Sequence, residues 1–101
     1  MTHKVRFTRG AQRELDALFE TLATKDERAA SQALAAIRRG LQLVQHLPLS
    51  CRRASGSSDP RWRELVISFG KAGDVLLFEI TDERKVAVLA ARHQREDDFF
   101  Y

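Results

Sequence analysis

Cysteine is nearly missing from this chain. Cys51 stands alone, so no internal disulfide forms and the composition suits a reducing cytoplasm. Cys51 falls in a polar stretch with no marked base beside it, which reads as an incidental thiol rather than a nucleophile. Long apolar runs are missing too. Nothing approaches the roughly 20 residues a membrane-crossing helix requires, and the opening Met1-Thr2-His3-Lys4-Val5-Arg6 has no apolar signal core. No membrane partner is expected, and neither a metal nor a cofactor. Proline occurs twice, and Pro48 and Pro60 bracket the one irregular stretch of any length. A strong charge of either sign is also absent: 17 Lys and Arg against 14 acids leave a net charge of +3. So small an excess fits a nucleic-acid target or an acidic protein partner equally well.

What is present is the composition of one folded domain over residues 1–101, with 44% apolar and 31% charged residues. Lys4-Val5-Arg6-Phe7-Thr8 alternates charged and apolar residues, the period of a half-buried strand. Thr8 is placed to cap a helix in which Ala11, Leu15, Leu18 and Leu22 share one face, widened by Phe19. Thr24 followed by Glu27 reads as a capping box opening a second helix that runs to about Leu47. Its expected buried stripe is Ala30, Leu34, Ile37, Leu41 and Val44. Gly40 weakens that helix by up to about 1 kcal/mol relative to Ala, and Pro48 ends it. Two amphipathic helices with so short a link form an antiparallel hairpin.

After the loop between the prolines come three apolar segments. Leu65, Ile67 and Phe69 share one face of the first. In the second, Leu76, Phe78 and Ile80 share one face and Val75 and Leu77 the other. The third begins at Lys85 with Val86-Ala87-Val88-Leu89-Ala90-Ala91. Turns at Gly70-Lys71-Ala72-Gly73 and Thr81-Asp82-Glu83-Arg84 are short enough to require an antiparallel meander. The second and third strands are apolar on both faces and belong in the interior of the sheet. The expected fold is α+β, in the order β-α-α-β-β-β, with a helical hairpin packed on a small, mainly antiparallel sheet.

The order of elements, RELVISFG at residues 63–70, the apolar strand at 74–80 and VAVLAARHQRED at 86–97 resemble the RelE/ParE superfamily of bacterial toxins. The likeness is closer to the ParE branch, whose last strand commonly runs into an Arg-His-x-Arg-Glu sequence of the kind at Arg92-His93-Gln94-Arg95-Glu96. The resemblance implies the toxin of a type II toxin–antitoxin (plasmid stabilisation) system, in a hetero-oligomer with a cognate antitoxin. For the ParE branch it implies DNA gyrase as target and no hydrolytic site. For the RelE branch it implies metal-independent cleavage of messenger RNA in the ribosome.

Cleavage of that kind needs an acid, a base and cations for the phosphate. His93, with Arg92, Arg63 and Glu64, would be the set for it. The resemblance to RelE-type nucleases would imply a lysine- and arginine-rich set across the sheet and an aromatic shortly after the last strand. Here, however, the second half has only Lys71 and Lys85 as lysines, both beside turns, and Phe99, Phe100 and Tyr101 sit far down the tail. The balance favours a non-enzymatic inhibitor. Its expected partner-binding residues are Arg61, Trp62, Arg63, Arg92, His93 and Arg95, with Leu43 and Leu47, which fall off the main stripe of the second helix. Val75 or Leu77, on an open sheet face, would complete an apolar groove for an antitoxin helix.

Overall fold

A computed structural model describes residues 2–69 and 72–93. Of the turn expected at Gly70-Lys71-Ala72-Gly73, Gly70 and Lys71 lie outside the described residues, as does the tail carrying Arg95 and the terminal aromatics. Ala72 and Gly73 are instead strand, paired with Phe69 and Ser68.

The elements run β1 (Lys4–Phe7), α1 (Arg9–Lys25), α2 (Glu27–His46), a single 3-10 turn (Pro48–Ser50), β2 (Arg52–Arg53), β3 (Trp62–Phe69), β4 (Ala72–Asp82) and β5 (Lys85–His93). The five strands make one sheet in the order β1-β5-β4-β3-β2, and the two helices cover one of its faces. The twice-apolar strands β4 and β5 occupy the interior, as their composition requires. β3, β4 and β5 form the antiparallel meander. β1 returns to the far side of β5 and pairs with it in parallel, Val5 opposite Val86 and Phe7 opposite Val88. A parallel pair needs a long crossover, and the whole of α1, α2 and the meander supplies it.

Thr8 is the cap expected of it: its hydroxyl accepts the Ala11 amide at 3.1 Å and donates to the Leu89 carbonyl at 3.4 Å. The second cap differs from expectation. Asp26, not Thr24, opens α2 by accepting the Arg28 amide at 3.0 Å, while Thr24 lies inside α1 and donates to the Glu20 carbonyl. Asp26 stands one residue before the helix with extended backbone, where its carboxylate reaches a free amide, while the Thr24 hydroxyl is turned back into α1.

The buried stripe of α2 is also rotated from the expected one. Ala33, Ala36, Ile37 and Val44 are buried, whereas Leu34 is 40% exposed. Small residues face inward because the helix sits close on β3: a Cβ at Gly40 would stand 2.8 Å from the Leu65 Cδ2 atom and 3.3 Å from Ile67. Gly40 is therefore a contact point, and its cost in helix propensity is offset by the close approach.

The core joins Leu15, Ile37 and Val44 of the hairpin to Leu65, Ile67, Leu76, Phe78, Val86, Val88 and Ala91 of the sheet. Val88 and Ala91 are an odd number apart yet share that core. A register shift makes this possible: Leu77 faces Ala90 but Phe78 faces Val88, leaving Leu89 unmatched. A bulge of one residue exchanges the faces of everything beyond it. It sets Arg92 opposite Val75 and His93 opposite Asp74.

Candidate functional site

The candidate residues divide between the two ends of the sheet. At one end β3 begins, close to the 3-10 turn and the loop that precedes the strand. Arg63 points to the helix side here, and its guanidinium is occupied by backbone: Nε donates to the Pro60 carbonyl at 2.7 Å, Nη1 to that of Cys51 at 3.1 Å. Cys51 is buried in the core rather than set in a polar loop, and burial pushes its thiol pKa up against the opposing charge of Arg63 and a bond from Ser50.

Glu64 points to the other face and is 6% exposed. Its Oε1 accepts the Ser55 amide at 2.5 Å, and Arg52 of β2 stands 3.4 Å from Oε2. Burial alone would raise the Glu64 pKa, but the Ser55 bonds and then Arg52 outweigh it, holding the carboxyl below its ordinary range. Gly56, with φ of 79°, provides the left-handed residue that turns the Ser55 loop back onto the strand. Trp62 is half-buried, its Nε1 donating to Glu79 Oε2 at 3.1 Å. Arg61 is exposed and forks onto Asp59 at 3.2 and 2.9 Å, and that fork holds the Asp59 pKa down.

At the opposite end, β4 starts and β5 finishes beneath the tip of the hairpin. Asp74 is buried there on the helix side, 3% exposed, with His93 Nδ1 at 3.7 Å from its Oδ1. Burial raises the Asp74 pKa, and His93 only partly counteracts it. Both residues line a cavity of about 330 Å³ walled by Leu18, Phe19, Leu22 and Ala33. Nothing in the sequence pattern singled out Asp74. Its one local signal was a charged residue at an inward position of an apolar strand.

The four residues of a nuclease set are not brought together. His93 and Arg63 are both on the helix side, but their β4 partners, Asp74 and Phe78, are four residues apart, roughly 13 Å along the strand. Arg92 and Glu64 lie on the other face, both lining a hollow of about 180 Å³ together with Ser55, Val75 and Leu77. Val75 is only 2% exposed, so it offers no open apolar surface for a groove, while Leu77 is half-buried. Among the described residues no group of three or more His, Cys, Asp or Glu could hold a metal, and no helix is long and apolar enough to cross a membrane.

Leu43 and Leu47 emerge from the end of α2 with 40% and 59% exposure, and the 3-10 turn adds Leu49 at 67%. The Leu49 contribution escapes helical periodicity because it lies beyond Pro48. Leu47 and Leu49 border a hollow of about 500 Å³ shared with Pro48, Pro60, Arg61 and Ile80.

A helical hairpin on a meander, extended by an N-terminal parallel strand, with its polar groups engaged by backbone and by one another, defines an α+β domain of the RelE/ParE type. The profile of the ParE toxin of type II toxin–antitoxin systems, parDE, matches residues 5–98, and the chain belongs to that family. A solved structure described as the chromosomal ParDE TA system from P. aeruginosa superposes with a TM-score of 0.69 at 17% identity. The match covers 93% of this chain and 98% of that one; at this identity it speaks for the fold. Comparison with curated protein sequences finds no match.

Proposed function

We propose that this toxin inhibits DNA gyrase by binding rather than by catalysis, in the cytoplasm, and is neutralised by a cognate antitoxin. The observation that carries this reading is the ParE match across nearly the whole chain. The site chemistry supports it: Arg63 is committed to carbonyls and Glu64 to Ser55 and Arg52, while His93 stands apart at the other end of the sheet, 3.7 Å from Asp74. Glu64 and His93, the acid–base candidates, lie on opposite faces of the sheet and do not converge on a common point. Exposed Arg92 and His93 form the gyrase-facing set in this reading, with Arg95, which follows them in sequence, and exposed Arg61 and half-buried Trp62 anchor the far end of the sheet. Arg63 contributes by holding the loop beside Arg61.

The antitoxin surface in the same reading is the Leu43–Leu47–Leu49 ridge and its adjoining hollow. An amphipathic segment laid there would cover apolar area that is otherwise wet, at about 25 cal/mol per Å². The decisive experiment adds purified toxin to a gyrase supercoiling reaction, where loss of supercoiling or stabilised DNA breaks is expected. Unchanged supercoiling at excess toxin overturns the reading. Primer extension on translated messenger RNA tests the RelE-like alternative: cleavage that disappears in His93→Ala would replace inhibition with nuclease activity.

A further inference from the structure

We infer that the cavity beneath the hairpin tip is a receptor for a cationic head on an aliphatic stem, an alkylammonium or alkylguanidinium group, with Asp74 as its counter-ion. This stands on the cavity alone and does not depend on the gyrase reading.

Five observations lead to it. The volume, about 330 Å³, falls at the lower end of the roughly 300–1,000 Å³ typical of ligand pockets. The walls of Leu18, Phe19, Leu22 and Ala33 are apolar, which suits a methylene stem of the kind lysine and arginine carry. The Asp74 carboxylate lines this space while 3% exposed, and a buried carboxylate requires a charged or hydrogen-bonding partner. The partner it has is poor: His93 Nδ1 is 3.7 Å away, beyond hydrogen-bond length, on an imidazole that is 56% exposed and charged only when protonated. Lastly, α1 ends at this cavity, with Leu22 and Lys25 of its last turn in the lining, and a helix C-terminus favours positive charge. Lys25 is exposed at the mouth. Its solvated ammonium is screened by salt and is suited to meet an acidic group outside the pocket.

Such a head has two sources, a small amine or guanidine in solution and a lysine or arginine side chain of a bound protein. The test is a methyl-detected NMR titration of the toxin at neutral pH with hexylammonium and butylguanidinium, using hexanol as the uncharged control. Saturable shifts are expected in the Leu18, Leu22 and Ala33 methyls. Asp74→Asn, which keeps the shape, should weaken the cations about tenfold or more, the usual loss when a charged hydrogen-bond acceptor is neutralised, and leave hexanol unaffected. Thr21→Trp, on the exposed side of the cavity mouth, should block all three probes in a folded protein.

Shifts that do not saturate, or equal cation affinity in wild type and Asp74→Asn, would overturn the inference. Repeating the titration on the toxin–antitoxin complex separates the sources. Binding that persists there identifies a small-solute site, and binding that is lost identifies a side chain of the partner as the occupant. Because the free-chain titration involves neither gyrase nor antitoxin, its failure is distinguishable from failure of the proposed function.

Discussion

Glu64 and Asp74 are two carboxylates on neighbouring strands, almost equally buried at 6% and 3% exposure, yet their surroundings treat them oppositely. Glu64 receives a backbone amide and an arginine and is held ionised. Asp74 receives one distant imidazole, and its pKa is raised. Solvent exposure alone therefore says little about a buried acid; what decides is the balance between the desolvation it suffers and the donors the chain brings to it. At the Glu64 end the acid stitches a loop and a short strand to β3. At the Asp74 end it faces a cavity.

The largest test of this contrast is Glu64→Ala, which removes the acceptor for the Ser55 amide and the partner of Arg52. A destabilisation of about 2–3 kcal/mol is expected, read as a lower urea midpoint, together with faster proteolysis between residues 54 and 60. Asp74→Asn should act with the opposite sign. Removing a poorly compensated buried charge while keeping its shape should leave stability unchanged or raise it by up to about 1 kcal/mol.

The pH dependence should separate the same pair. Glu64, depressed below 4.5 in the folded state, contributes stability that is complete above its ordinary value and is lost as pH falls through its folded pKa. Asp74, raised above 3.8, binds its proton more tightly when folded, so stability is lost as pH rises through its folded pKa. Urea midpoints taken from about pH 3 to pH 7 should accordingly show the wild-type advantage over Glu64→Gln shrinking in acid. The advantage of Asp74→Asn over wild type should vanish in acid as well.

The smallest effect concerns the hairpin tip above Asp74. Asp26→Ala should cost about 1 kcal/mol as a lost helix cap, whereas Thr24→Ala should stay within about 0.5 kcal/mol. Thermal unfolding of the two variants distinguishes an Asp cap from a Thr one.

Much of the architecture is legible in local patterns. The apolar character of both faces of residues 75–80 and 86–91 places those strands inside the sheet, and Thr8 ahead of an amphipathic run marks a helix start. What local patterns hide is anything set by distance in space. The inward stripe of α2 follows Ala33, Ala36 and Gly40 because the helix presses on Leu65 and Ile67, and small residues carry little weight in a hydrophobic period. β2, two residues long, exists only because β3 is there to pair with it. The exposure of Leu43 and Leu47 could be read from their position off the stripe. The burial of Asp74 and the engagement of Arg63 could not, since both depend on which strands and loops meet.

The parallel pairing of β1 with β5 also bears on how the toxin comes into being. β5 lies between β1 and β4, yet it is synthesised after both. Until it emerges, β1 has no partner in the sheet and α1 lacks the strand it chiefly packs against. The contacts that close the domain span nearly the whole chain, such as Thr8 with Leu89, and contacts so distant in sequence form slowly. A nascent or truncated chain stopping before Lys85 thus lacks its keystone strand, and with it Arg92 and His93, so the folded surface forms only after β5 has left the ribosome.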